Sequence, residues 1–263
     1  MKSKEVQTAV KNKYENGDGP SKIYRDLAGV VSLQTIKLWI KMIKNTGTIK
    51  FVNWVLNNYT KEDTEKWLFT DEKYFDLDGV YNVQNDQVWA VSREEADKKG
   101  GVHQKSKYPA KVMVWLGVCG KGLTMPVILE DETMNAERYI QDVLPIALKC
   151  GNNMLGTNWA YQQDGARPHT HSLSQKWCHD HFPAFIPKIR WPPNSPDLCP
   201  LDYSLWNELA QAMNWDHITT KGALVDEIKR SIKKVEKEKI LLSVRDFTVR
   251  LRSIQKNGGN YIR

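Results

Sequence analysis

Apolar residues along this chain fall first into a helical period and then into strand periods. Val6, Ala9, Val10 and Tyr14 lie at i, i+3, i+4 and i+8, one face of a helix over 4–15. Asn16-Gly17-Asp18-Gly19-Pro20 stops it, and Ser21 is placed to cap a second short helix carrying Ile23, Tyr24 and Leu27. Ala28-Gly29-Val30-Val31 reads as a tight turn. Ser32 then caps a third helix with Leu33, Ile36, Ile40 and Ile43 inward, ending near Asn45-Thr46-Gly47. Three short helices with a glycine-bearing turn before the last describe a helix-turn-helix over 1–50. In that arrangement the last helix presents Gln34, Thr35, Lys37, Lys41 and Lys44, the first two suited to base edges and the lysines to phosphates. The pattern leaves open a three-helix bundle built for protein contacts.

Residues 51–66 read as a connector helix (Trp54, Val55, Tyr59) that turns polar from Thr60. Strand signals follow at 67–70, 73–77, 81–84, 87–91, 111–119 and 123–129, with Gly120-Lys121-Gly122 as a hairpin turn between the last two. An amphipathic helix over 135–148 sets Ala136, Tyr139, Ile140, Val143, Leu144 and Leu148 on one face and is kinked by Pro145. A strand over 158–163, a helix over 169–182 and a short strand over 186–190 come next. Helices over 201–213, 221–239 and 243–256 complete the chain. Strands first, then alternating strands and helices, predict an α/β domain around a mixed sheet over 67–263.

Composition narrows the class. With 263 residues, 41% hydrophobic and 26% charged, the chain can fold as one large domain or as a small one plus a medium one. No apolar run reaches 18 residues, so no membrane span is expected, and no secretory signal pattern opens the chain. Four cysteines without a CxxC pair read as reduced thiols of an intracellular protein. The net charge is +7, and residues 1–50 carry ten Lys/Arg against four acids, leaving the rest nearly neutral. A basic first fifth on a near-neutral body suits a nucleic-acid-binding module on a catalytic domain, though a merely well-solvated N-terminus gives the same count.

Three aspartates stand out against apolar or proline-rich frames: Asp71 after Trp67-Leu68-Phe69-Thr70, Asp164 after Tyr161-Gln162-Gln163, and Asp202 after Trp191-Pro192-Pro193-Asn194-Ser195-Pro196-Asp197-Leu198. Between them lie 92 and then 37 residues. Apolar runs ending in an acid read as buried strands that deliver a carboxylate to a sheet edge. Three such carboxylates suit two divalent cations for phosphoryl transfer, which makes DNA strand cleavage the candidate chemistry. Chance placement among 31 acidic residues is the competing reading.

The words around these acids decide between the two. Thr70-Asp71-Glu72-Lys73-Tyr74-Phe75, Gln162-Gln163-Asp164-Gly165-Ala166-Arg167-Pro168-His169 and Pro193-Asn194-Ser195-Pro196-Asp197-Leu198-Cys199-Pro200-Leu201-Asp202-Tyr203 resemble the three catalytic blocks of mariner-like transposases, in order over roughly 60–263. The resemblance implies a ribonuclease H-like catalytic domain with a mixed sheet behind an all-α helix-turn-helix. It also implies Asp71, Asp164 and Asp202 as a metal-holding catalytic triad. Two Mg²⁺ ions are implied, with Mn²⁺ able to substitute, Asp71 bridging both and each of the others holding one. Hydrolysis at a transposon end and attack of the freed 3′-hydroxyl on target DNA would follow. Double-stranded DNA (terminal inverted repeats and target), a homodimer on DNA, no membrane and a nuclear location complete the expectation. One departure stands out: the family carries two helix-turn-helix units and a linker, and here the second unit and most of the linker are missing from the pattern. The intact triad points to a transposase; the missing module points to a DNA-binding protein derived from one.

Other residues carry less. Ser195-Pro196-Asp197 is good turn chemistry, which makes Asp197 a structural residue. Glu72 must point to the opposite side of a strand from Asp71. Arg167 and His169 either touch a DNA phosphate or cap the next helix. Cys178-His179-Asp180-His181 has metal-ligand residue types, but neighbours on one helix cannot all converge. The lysines from Lys229 to Lys239 are interleaved with Glu236 and Glu238 and read as a solvated face. Trp115 and Trp206 sit in patterned elements and read as core.

Overall fold

Lys2–Glu15 (α1), Pro20–Asp26 (α2) and the first half of Leu33–Asn58 (α3) close a small core of Val10, Tyr14, Ile23, Ile36 and Ile40. The structure, a computed structural model, describes residues 2–77, 91–98, 109–129 and 134–262. Ser32 caps α3 by accepting from the Thr35 amide at 3.1 Å, a contact worth about 1 kcal/mol. The turn before it carries Ala28 and Gly29 through the left-handed region, at φ 46° and 72°, where glycine is at ease. Gly19 rather than Ser21 precedes α2, because Pro20 fits the first turn, where its fixed φ suits a helix and its missing N–H is no loss.

The third helix does not end near Asn45-Thr46-Gly47. It runs 26 residues unbroken and absorbs most of the predicted connector. That tripeptide stops a helix when its glycine turns left-handed, and Gly47 does not. Thr46 Oγ1 returns a hydrogen bond to the Met42 carbonyl at 2.9 Å. Burial carries the helix onward, since Phe51, Val52 and Val55 enter the main core. A mid-helix glycine costs about 1 kcal/mol, and each large buried apolar side chain returns about 1.5–3 kcal/mol. The break comes later, at Tyr59, where Thr60 and Asp63 form a reciprocal capping box on Lys61–Thr64 (α4).

Trp67–Asp76 (β1) is one ten-residue strand where the pattern predicts two. The signals at 81–84 and 87–91, apart from Val91, fall outside the described residues. After Arg93–Lys98 (α5) come Lys111–Cys119 (β2), the Gly120-Lys121 turn, Gly122–Leu123 (β3) and Val127–Leu129 (β4). Ala136–Arg138 (α6) passes through a π segment, Tyr139–Val143, into Leu144–Leu155 (α7). There the Leu144 amide reaches back to the Tyr139 carbonyl. This wider register accommodates Pro145, which cannot donate to the turn before it, and the helix continues. Ala160–Gln162 (β5) leads to Arg167–Thr170 (α8) and Ser172–His181 (α9). The helix predicted over 169–182 is thus two, split at His171, whose extended backbone and ring cap α9.

Ala184–Phe185 (β6) lies ahead of the strand predicted over 186–190. There Pro187 has no N–H to give a ladder, and its carbonyl closes a turn with the Arg190 amide at 2.8 Å. A second π segment, Leu201–Leu205, opens into Trp206–Ala212 (α10). Lys221–Ile232 (α11) stops short of 239, and Lys237–Lys256 (α12) begins before 243. The buried residues Ile232 and Ile240 flank the charged link between them.

The sheet has the order β3-β2-β1-β5-β6, with β4 also on β2. It is mixed: β1 is antiparallel to β2 and parallel to β5, which is parallel to β6. Both faces are covered. Trp67, Phe69, Val114 and Leu116 meet Trp206, Phe247 and the end of α3 on one side. On the other, Leu68, Trp115, Tyr139, Trp159, Tyr161 and Phe182 form a second core. All four cysteines are buried and free. Among the described residues no helix is long and apolar enough to cross a membrane.

Because Gly47 sits inside α3 with open space around its Cβ position, Gly47→Ala should stabilise the protein by roughly 0.5–1 kcal/mol in urea unfolding. A loss of stability of that size would show that the helix ends there.

Candidate active site

Strand β1 alternates between the two cores, and its polar residues follow the same rule. Asp71 falls on the face of Trp67 and Phe69, Glu72 on the face of Leu68 and Thr70. The pairing of β1 with β5 runs only from Trp67–Ala160 to Phe69–Gln162. Past Phe69 the ladder stops; Thr70 still reaches Gln162, its amide to the side-chain oxygen at 3.4 Å and its hydroxyl to the carbonyl at 2.7 Å. Beyond Thr70 the end of the pairing leaves a notch. Asp71 stands two residues beyond the last pair, and Asp164 two residues beyond the end of β5. The acid therefore lies inside a strand rather than at its end; the neighbouring strand's early stop makes the opening.

On the Asp71 face, the π segment 201–205 and α10 bring Asp202 and Trp206 to one side of a helix, four residues apart. Trp206 Nε1 donates to Asp71 Oδ2 at 2.6 Å, so this tryptophan is a site residue as well as a core one. Burial, then the charge of Asp202 and that of Glu72, hold the Asp71 carboxyl well above its ordinary 3.8, with the Trp206 bond opposing. Asp202 is also raised, by burial first and further by Asp164 and Glu72, against a hydrogen bond with Asp71 and the nearby Lys73.

Asp164 differs. Its Oδ1 accepts from the Ala166 amide at 2.9 Å and from His169 Nδ1 at 2.5 Å. Burial would raise its pKa, but the bond to His169 and that ring's charge bring it below 3.8. His169 Nε2 lies 3.1 Å from Glu72 Oε1. With a carboxylate on each side, both ring nitrogens donate and the ring is cationic. Burial alone would lower its pKa; Glu72, then Asp164, outweigh that and push it up to about 10. The ring packs on Tyr139, centroids 4.3 Å apart. Tyr139 in turn bonds Tyr161 and Gln163, both at 2.7 Å.

The structure thus brings Asp71, Asp164 and Asp202 into one electrostatic neighbourhood. Among the described residues no three His, Cys, Asp or Glu side chains are already assembled as a metal-holding group. The donor set nonetheless fits Mg²⁺ or Mn²⁺, hard cations that take carboxylate oxygens. Asp71 and Asp202, both raised by burial and by the charges of neighbouring acids, mark a negative potential that a divalent ion neutralises.

His169 neither reaches solvent to meet a phosphate nor caps a helix; it is buried. Glu72 faces away from Asp71, as strand alternation requires, yet joins the site through His169. Strand parity and the five-residue step from Asp164 to His169 are the sequence signals for this link, and they acquire meaning once β1 and β5 are seen side by side. Asp197 is structural: it is buried, its carbonyl accepts from Arg250 Nε at 2.8 Å and its Oδ2 from the Ile262 amide at 3.3 Å. Cys178 is buried while His179, Asp180 and His181 are exposed, so that tetrad does not converge.

On the helix-turn-helix, Gln34, Lys37 and Lys41 are exposed on α3. Thr35 is half-buried, and its hydroxyl lies 2.9 Å from Ser32 Oγ within the cap, so it is less available than its neighbours. Lys44 lies in α3, with its side chain outside the described residues.

A helix-turn-helix on a ribonuclease H-like α/β domain with a mixed sheet defines the class of fold. Solved structures share it. The Mos1 transposase paired-end complex with left transposon end superposes with a TM-score of 0.67 at 15% identity, covering 98% of this chain and 79% of that one. The Mos1 strand transfer complex gives 0.65 at 16%, covering 98% and 78%. The catalytic domain of Mos1 mariner transposase gives 0.59 at 16%, covering 84% and 94%. At such identity the likeness establishes the fold. No family model and no curated protein matches the chain.

A raised carboxyl pKa contributes stability that is complete below 3.8 and lost as pH climbs through the folded value. In EDTA, thermal unfolding between about pH 4 and pH 8 should show wild-type stability declining more steeply with pH than that of Asp71→Asn. Equal slopes would contradict the placement of Asp71 beside Asp202.

Proposed function

We propose that this protein is a mariner-like DNA transposase that cleaves and joins phosphodiester bonds with divalent metal. The observation that carries the reading is the electrostatic coupling of Asp71 and Asp202 with each other and with Asp164 where β5 stops beside β1, in a chain whose first fifth is a basic helix-turn-helix. The three acids are those of the mariner-like blocks, and the fold is that of the Mos1 structures. Mg²⁺ or Mn²⁺, when bound, supplies charge neutralisation at the scissile phosphate and acidifies water.

The chain's own part is to supply and orient oxygens. Asp71 and Asp202, which repel one another when ionised, would hold the cation from β1 and from the start of the 201–212 helical run. Asp164 would do so from the loop after β5. Trp206 fixes one oxygen of Asp71, and Ala166 and His169 fix one of Asp164. Gln34 would reach base edges and Lys37, Lys41 and Lys44 phosphates of the terminal repeats. Target DNA, a homodimer on DNA and a nuclear location complete the proposal.

A second reading, a DNA-binding protein descended from a transposase, draws on α3. That helix passes unbroken from the first module into the catalytic core, with no second helix-turn-helix between them.

Nicking of supercoiled DNA with Mg²⁺ or Mn²⁺ separates the two. Cleavage by wild type with at least a hundredfold loss in Asp164→Asn is expected; DNA binding without cleavage by either would favour the second reading. Lys37→Ala should weaken binding alike across sequences and flatten its salt dependence by about one phosphate contact, whereas Gln34→Ala should chiefly relax sequence preference. Binding untouched by both changes would remove α3 from the interface.

A further inference from the structure

Asp164 and Glu72 sit on different elements, and neither carboxylate is left to orient itself. Both bonds to Asp164 fall on the same oxygen: Oδ1 takes the Ala166 amide and His169 Nδ1. Oδ2 has no hydrogen-bond partner among the described residues. An anchored Oδ1 fixes the carboxylate plane and leaves a single oxygen to aim.

The ring that does the anchoring is itself held on every side. Glu72 takes its other nitrogen, Tyr139 covers its face, and its backbone carbonyl accepts from Gln175 Nε2 at 2.9 Å and Gln163 Nε2 at 3.4 Å. His169 is 2% exposed, and its two ring nitrogens are each committed to one carboxylate, Nδ1 to Asp164 and Nε2 to Glu72. A buried histidine between two carboxylates is costlier than an apolar side chain of the same size would be, which argues for a role other than filling space.

We infer that His169, braced by Glu72, is the positioning residue that presents Asp164 Oδ2 to the divalent cation. This rests on the metal-site reading above. Outer partners of this kind usually tune metal affinity about ten- to a hundredfold.

Two near-isosteres of histidine separate positioning from packing. Asn places a donor where Nδ1 stands and loses the Glu72 contact; Gln places one where Nε2 stands and loses Asp164. Mn²⁺ binding by titration calorimetry, on full-length protein without DNA, is the readout, with metal-free thermal stability measured beside it. His169→Gln should weaken Mn²⁺ binding about tenfold or more, and His169→Asn should restore most of it, although both lose the brace between Asp164 and Glu72. Equal losses in the two variants, or none in His169→Gln, would overturn the positioning role. Asp164→Asn is the reference. If it too leaves Mn²⁺ binding unchanged, the metal site is misassigned; if it abolishes binding while His169→Gln does not, the positioning inference alone fails.

Discussion

The site and both cores depend on the period-two alternation of one strand. β1 lies between β2 and β5, so each of its side chains must go to one face or the other. Trp67 and Phe69 anchor one core and Leu68 the other. That packing fixes the register, and the register then dictates where Asp71 and Glu72 point. A slip of one residue would exchange the two acids and bury the wrong side chains at once. The carboxylate geometry is thus enforced by hydrophobic burial a few residues away rather than by anything local to the acids.

Polar residues enter this interior under strict accounting. Asp71 and Asp202 remain high in pKa because burial and the charges of neighbouring acids are incompletely offset, at Asp71 by the Trp206 bond and at Asp202 by the hydrogen bond with Asp71 and by Lys73. Asp164 is lowered instead, because His169 and a backbone amide stabilise its charge. One notch therefore holds carboxylates of opposite tendency, and the difference traces to a histidine that Glu72 keeps charged. Thr70, Tyr161, Tyr139 and Gln163 extend the network, with Thr70 Oγ1 3.3 Å from the Tyr161 hydroxyl. This chain of hydrogen bonds ties β1 to β5 and to the helices that cover them.

α3 shows the same dominance of tertiary burial over local signal. Its N-terminal half belongs to the helix-turn-helix core and its C-terminal half to the main one. Within that second half, Asn53 accepts from Gln255 at 2.6 Å and Arg190 lies over the Trp54 ring at 5.0 Å. A single helix thus contributes to both cores, and Gln34, Lys37 and Lys41 lie on the same helix as Phe51, Val52 and Val55.

The sequence by itself determined the helix-turn-helix, through three apolar stripes and the Ser32 cap, and the order of strands and helices after it. It also singled out Asp71, Asp164 and Asp202 as candidates, because their flanking words are distinctive. Helix and strand periods, caps and turns are local effects, encoded within a few residues. Only the tertiary structure decided that β1 is one strand, that α3 outlasts Gly47, that Trp206 bonds Asp71 and that His169 joins Asp164 to Glu72. Those outcomes join residues 97 and 135 positions apart or set a weak local break against distant burial. Neither the partners nor the balance of energies is written in any short window of the chain.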